Sequence, residues 1–250
     1  MSDEVPLTGG NVSGGVVRVG QTVRKPSTSA TSSVDHLLAY LAECGFECSP
    51  KPLGWDAQGR QMLEFVAGDL AHDLPALDVD NLSRVGSLIR SLHDVMQSYV
   101  PPLWARWNVP LRPDREDFVC HNDLAPWNLV IGADRWVFID WDNAGPASRE
   151  WEIAYAAHGF VGMAEGNDPS HDAPRLAALV DGYGLDRTSR ERLCEVLSGP
   201  VRAMWRRLVL GGETGSQPWA NLYADGHADH WGPAADYIDR NAAHWRRALT

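Results

Sequence analysis

Two short stretches of the chain carry residues able to do chemistry together: His121-Asn122-Asp123-Leu124-Ala125-Pro126-Trp127-Asn128 and Ile139-Asp140-Trp141-Asp142. Asp123 and Asn128 fall on one loop between two apolar runs, Phe118-Val119-Cys120 and Leu129-Val130-Ile131. Gly132-Ala133-Asp134-Arg135 then separates the second run from Trp136-Val137-Phe138-Ile139, which predicts a hairpin. A hairpin brings its ends together, so Asp140 should arrive beside Asn128. The outcome is one carboxylate able to accept a proton, next to an amide oxygen and a second carboxylate that face a common point. Hard oxygen donors of that kind suit Mg2+, which keeps several waters and binds substrate phosphates. A metal held by Asn and Asp beside a separate Asp is the arrangement of kinase-type phosphoryl transfer.

The elements that must position these residues are legible as patterns. Val16-Val17-Arg18-Val19 and Thr22-Val23-Arg24-Lys25 flank Gly20-Gln21 and read as a hairpin. The glycine-rich turn Gly9-Gly10-Asn11-Val12-Ser13-Gly14-Gly15 precedes it. Ser32 or Ser33 is placed to cap a helix whose apolar face is Val34, Leu37, Leu38 and Leu41, and Gly45 ends it. Residues 62–66 read as a buried strand. Asp80 is placed to cap a second helix, with Leu82, Val85, Leu88, Ile89, Leu92 and Met96 on its apolar face and Pro101-Pro102 beyond its end. After Glu150 the pattern is helical over about 153–160, 174–183, 190–210 and 233–249.

Composition excludes several classes. The 250 residues are 44% hydrophobic and 22% charged, an ordinary globular balance. No apolar run reaches the roughly 20 residues of a membrane helix, and the acidic start MSDEVPLTGG lacks a secretory core, so a cytoplasmic protein is expected. A net charge of −11 argues against nucleic-acid binding through a broad basic face. Cys44, Cys48, Cys120 and Cys194 have neither disulfide-framework nor zinc-site spacing and are expected reduced.

With these residues in place, the chain resembles the aminoglycoside phosphotransferase family of the protein-kinase-like group. The family's H-G-D-x-x-x-x-N loop and following I-D-x-x segment are matched by H-N-D-L-A-P-W-N and I-D-W-D. The resemblance implies an α+β, two-lobed, protein-kinase-like fold. A small N-terminal antiparallel sheet with one helix would form a nucleotide-binding lobe over 1–68, and a larger, mainly helical lobe over 69–250 would carry catalysis and substrate. It implies ATP, with GTP as an option, and Mg2+. Asp123 takes the place of the catalytic base, and Asn128 and Asp140 those of the metal ligands; Asp142 is a further candidate for either metal or substrate. His121 is expected to fix the loop by hydrogen bonding. Asn122 replaces the family's glycine, and Asn tolerates left-handed backbone better than most residues. Ser13 and Gly14 fall where backbone amides would meet phosphate. Lys25, one of only two lysines, falls where the family has a phosphate-binding lysine, with Arg24 the alternative if the strand register slips by one. The helix glutamate that anchors this lysine in kinases is missing, and Asp35 is the nearest substitute. Glu64 and Val66 occupy the hinge, where backbone groups would meet adenine.

The acceptor is expected to lie against the C-terminal helices. Glu150, Glu152, Asp181, Glu213, Asp225 and Asp229 are candidates to bind a polar or cationic small molecule, and residues 211–232, polar and Trp-bearing, read as a substrate-covering loop. The resemblance suggests an aminoglycoside-type antibiotic, hence a resistance role, with other antibiotics, amino alcohols such as choline, and metabolites as alternatives. A rival is a catalytically weak immunity or binding protein on the same fold. A protein-kinase role is disfavoured, because no A-P-E element or activation loop follows Asp140. The sequence leaves the oligomeric state open.

Overall fold

The computed structural model describes residues 4–7 and 14–250. Five antiparallel strands begin the chain: β1 (Val5–Pro6), β2 (Val17–Val19), β3 (Thr22–Lys25) and, after helix α1 (Thr31–Glu43), β4 (Pro52–Trp55) and β5 (Gln61–Glu64). Their order across the sheet is β1-β2-β3-β5-β4. The expected hairpin is present, with Val17 opposite Arg24 and Val19 opposite Thr22. α1 buries Val34, Leu37, Leu38 and Leu41, the face its spacing predicts. Its start differs from expectation. Ala30 is the N-cap residue, and Ser33 lies inside the first turn, where its hydroxyl accepts the Arg106 N–H at 2.7 Å. β4 carries Pro52 and Gly54, which hide it from a pattern search. It is tolerated because it is the edge strand, where a missing N–H costs no ladder bond.

The chain leaves this sheet after Glu64. β6 (Asp69–Leu70), α2 (Val79–Met96) and four short strands follow: β7 (Phe118–Cys120), β8 (Leu129–Ile131), β9 (Trp136–Phe138) and β10 (Gly145–Ala147). β6, β8 and β9 form one sheet, and β7 pairs with β10. The expected hairpin is the β8–β9 pair, with Leu129 opposite Phe138. α2 is capped by Asp78, whose carboxylate accepts the Asn81 N–H at 2.9 Å, and Asp80 sits in the first turn instead.

Helices complete the chain: α3 (Arg149–Ala157), α4 (Pro169–Tyr183), α5 (Arg187–Val196), α6 (Gly199–Thr214), α7 (Trp219–Ala224), α8 (His227–Arg240) and α9 (Ala242–Leu249). A π-helical turn, His158–Gly162, extends α3. The single helix expected over 190–210 is two, because Pro200 favours a new first turn. The loop expected over 211–232 is largely helical. Gly215 and Gly226 do break helices there, but Gly211 and Gly212 are packing sites: a Cβ on Gly211 would stand 2.3 Å from the Trp219 Cβ, and one on Gly212 2.3 Å from the Tyr223 ring. Among the described residues no helix is long and apolar enough to cross a membrane.

The arrangement is α+β, a small antiparallel sheet with one helix ahead of a larger helical part. α2 crosses α4 with their backbones in close approach. A Cβ on Gly86 would lie 2.0 Å from the Leu179 carbonyl oxygen, and one on Gly182 2.0 Å from that of Ser83. Overpacking a contact between backbones forces both helices apart, so Gly86→Ala should lower unfolding stability by about 3 kcal/mol in a denaturant titration. A loss of a few tenths would show that the crossing is adjustable.

Candidate active site

The loop after β7 is held from below by buried hydrogen bonds. His121 is fully buried, as expected of a loop-fixing residue. Its Nε2 donates to the Ile139 carbonyl at 3.0 Å, and its Nδ1 accepts the Asp123 N–H at 3.2 Å. Asn122 adopts φ 64, the left-handed conformation glycine would enter freely. Its N–H donates to Glu152 Oε1 at 2.5 Å, and its side-chain amide donates to the carbonyls of Asn143 (3.2 Å) and Gly145 (3.0 Å). The departure from glycine therefore keeps the backbone shape and adds two bonds. Glu152 in turn meets His93 Nε2 at 2.5 Å through Oε2, and His93 Nδ1 meets the Tyr183 hydroxyl at 2.9 Å. Burial pushes the Glu152 carboxyl up, but the His93 contacts and the Asn122 N–H outweigh it and hold the group below its usual value. Glu152 is an ionised strut under the loop, not the acceptor ligand expected.

Above this base the three oxygen-bearing residues converge. Asp123 Oδ1 accepts the Tyr155 hydroxyl at 2.8 Å, and Asn143 Nδ2 approaches Oδ2 at 3.4 Å. Burial raises the Asp123 carboxyl above its ordinary value, against the lowering effect of the Tyr155 hydrogen bond. Asn128 is buried and donates Nδ2 to the Asp123 carbonyl at 3.0 Å, which leaves its Oδ1 as the remaining donor atom. The Ile139 N–H bonds the Asn128 carbonyl at 2.8 Å, so the hairpin end sets Asp140 next to Asn128 as its geometry requires. Asp140 itself is left-handed, with φ 59.

Lys25 reaches this group from the first sheet. Its Nζ lies 2.6 Å from Asp140 Oδ1 and 2.8 Å from Asp142 Oδ2. Burial works against its ammonium, but the two carboxylates outweigh that and leave its pKa above the ordinary value. Arg24 faces the other way and pairs with Asp56 at 3.2 Å, so strand alternation selects Lys25. The partners of Lys25 are Asp140 and Asp142; Asp35 accepts from Gln61 Nε2 at 3.4 Å instead.

Lys25, Asn122, Asp123, Asn128, Asp140 and Asp142 all line one cleft of about 790 Å³, and Gly14 borders it too. Ser13 lies outside the described residues. Glu64 and Val66 are not in the cleft wall. The Glu64 carboxylate takes Arg135 Nη2 at 2.5 Å and the Lys51 N–H at 3.2 Å. Tyr155, Asn143 and His93 are site residues that sequence reasoning does not find, and Glu152 is one it assigns to the acceptor instead of the loop. Only Asn143 had a local signal, as the polar residue closing the Asp140-Trp141-Asp142 run.

Comparison with known proteins bears on the family and the fold. Residues 103–195 match the model of the phosphotransferase enzyme family. Over 207 residues, 76% of this chain and 77% of the relative, the sequence is 31% identical to a trifolitoxin immunity protein of Rhizobium leguminosarum bv. trifolii. In fold, the chain is similar to a choline/ethanolamine kinase family protein of Mesorhizobium loti, with TM-score 0.61, 15% identity, and coverage of 95% of this chain and 90% of that one. It is also similar to an amicoumacin kinase in complex with AMP-PNP, Ca2+ and Ami, with TM-score 0.65, 12% identity, and coverage of 90% and 84%. The fold is that of these protein-kinase-like small-molecule kinases.

The Tyr155 hydroxyl favours the charged form of Asp123, so Tyr155→Phe should move the Asp123 titration to higher pH. Carbon-13 NMR of labelled aspartate carboxyls reads this directly; an unmoved midpoint would show that the contact is weak in solution.

Proposed function

The chain belongs to the phosphotransferase enzyme family, and we propose that it transfers the γ-phosphate of Mg·ATP to an alcohol hydroxyl of a small molecule. The observation that carries the reading is the convergence of Asp123, Asn128 and Asp140 on one cleft, opposite Lys25. Asp123 orients the acceptor hydroxyl and receives its proton as the acceptor oxygen bonds to the γ-phosphorus and the bond to ADP breaks. Positioning matters more than proton removal, because charge in such transition states is spread over the phosphoryl oxygens. The raised Asp123 carboxyl suits the acceptor role as long as the medium is above its titration.

The metal site fits the residues present. Asp140 and Asp142 already share one cation, the Lys25 ammonium, and Asn128 is tied through its nitrogen so that an oxygen remains. Asn128 and Asp140 would hold Mg2+, with Asp142 beside them, and the ion would neutralise charge on the triphosphate. Lys25 would then turn to phosphate oxygens. The lobe over 1–68 would take ATP or GTP, with Ser13 and Gly14 near the phosphates and the backbone at Glu64 and Val66 near the base. The lobe over 69–250 would hold the acceptor. Such a protein works in the cytoplasm, where Mg·ATP is supplied.

A second reading has one specific observation in its favour: the 31% identical relative is an immunity protein. Immunity by sequestration needs no transfer, whereas immunity by phosphorylation is the same chemistry. A screen of antibiotics and amino alcohols with γ-labelled nucleotide separates them. The wild-type protein should label at least one acceptor, and folded Asp123→Ala should lose transfer by roughly 100- to 10,000-fold. Full activity in that variant removes the assigned role. Mg·ATP binding without transfer to any acceptor favours sequestration.

A further inference from the structure

The cleft has two chemically distinct ends. Its acidic and lysine side chains, Lys25, Asp123, Asp140 and Asp142, gather at one end, with Asn128 among them. The other end is walled by Trp127, Tyr155, Trp219 and Trp231, with Leu208 and His230. The aromatic wall begins at Asp123 itself, because Tyr155 bonds that carboxylate. The Tyr155 and Trp231 rings lie 6.0 Å apart and 23° from parallel, and Trp127 meets Tyr155 edge-on at 6.5 Å.

The six carboxylates expected to bind a cationic acceptor are elsewhere. Glu150 pairs with Arg115 at 2.7 Å, Asp181 with Arg190 at 2.7 Å, and Glu152 is under the loop. Glu213, Asp225 and Asp229 are exposed and outside the cleft wall. A molecule with several ammonium groups would find a single carboxylate bordering the aromatic end, Asp123, which its hydroxyl also needs. One cation gains from an aromatic face, but each further charge moved from water into such a wall without a partner is disfavoured.

His227 and His230 are the imidazoles of this wall, and the second has a fixed tautomer. His158 is buried and its Nδ1 lies 3.1 Å from the Met163 carbonyl, which can only accept, so Nδ1 carries the proton. Its Nε2 therefore accepts from His230 Nε2, 3.3 Å away. That fixes the His230 tautomer and leaves its Nδ1 as an acceptor. Burial pushes His158 down to about 4, and burial and His227 lower His230 as well, so the pair stays neutral at pH 7.

We infer that the acceptor is a neutral or singly charged, hydroxyl-bearing small molecule with a flat aromatic or branched alkyl body, seated against Trp127, Tyr155 and Trp231 with one hydrogen bond to His230, and not a polycationic aminosugar. The inference rests on the phosphotransferase reading for the place of the hydroxyl beside Asp123, and it names the substrate class of that site.

The test uses the full chain and two panels of alcohols, one of polycationic aminosugars and one of neutral or singly charged compounds with aromatic or branched bodies. Binding is read by tryptophan fluorescence and calorimetry, without nucleotide. The second panel should contain ligands at least about tenfold tighter than any in the first. His230→Glu, a change at an exposed residue, should reverse the preference by raising aminosugar affinity about tenfold. Trp231→Ala should weaken the apolar panel and Trp231→Phe should restore it. Equal or tighter binding of aminosugars to the wild type, binding of neither panel, or no response to His230→Glu overturns the inference. Magnesium-dependent binding of AMP-PNP, measured separately without acceptor, reads the phosphotransferase assignment alone, so the two can fail independently.

Discussion

One ammonium between two carboxylates organises this molecule. Lys25 comes from the small sheet, and Asp140 and Asp142 from the segment that follows β9, so the cluster ties the two parts of the chain across the cleft. Two carboxylates this close repel each other unless a cation lies between them. The lysine is 7% exposed, so it has few other partners to turn to, and its charge is retained because the acid pair outweighs its burial. A group of this kind is weak evidence for stability, since desolvation offsets much of the attraction. It is compatible with the proposed cation-binding role, in which the same two carboxylates and the Asn128 oxygen would offer hard donors suited to Mg2+.

The cluster would be useless on a loose loop, and the fold spends its buried polar groups on preventing that. Asn122 and Asp140 both stand in left-handed backbone, a conformation costly for side chains other than glycine. Each is overdetermined. Asn122 is gripped by Glu152 through its N–H and by two carbonyls through its amide, and His121 links the loop to the carbonyl just before Asp140. The Tyr183–His93–Glu152 chain carries this support into α2 and α4, whose glycine crossing fixes how closely the two helices approach. Global packing and local loop geometry are thus the same constraint seen at two distances.

What the sequence discloses follows the range of the interactions involved. The convergence of Asp123, Asn128 and Asp140 is readable because a hairpin between them is a local event, and Lys25 because alternation along β3 separates it from Arg24. Tyr155 and Glu152 contact the loop across about thirty residues and leave no spacing signal. Asp35 is close to Lys25 in the chain but not in partnership, since the true partners arrive from 115 residues away or more. Residues 211–232 look like a loop because a packing glycine and a turn glycine are the same letter. The carboxylates named as acceptor candidates mislead most: residue type says nothing about partners, and these are committed to arginines, a histidine or solvent.

The measurement that bears most directly on the central claim is calorimetric titration of ATP with and without Mg2+, on the wild-type chain and on Asp140→Asn. If Asp140 and its neighbours form the metal–nucleotide site, Mg2+ tightens ATP binding to the wild type and has lost that effect in the variant. ATP binding that ignores Mg2+ in the wild type, or the same Mg2+ dependence in both proteins, would contradict the account.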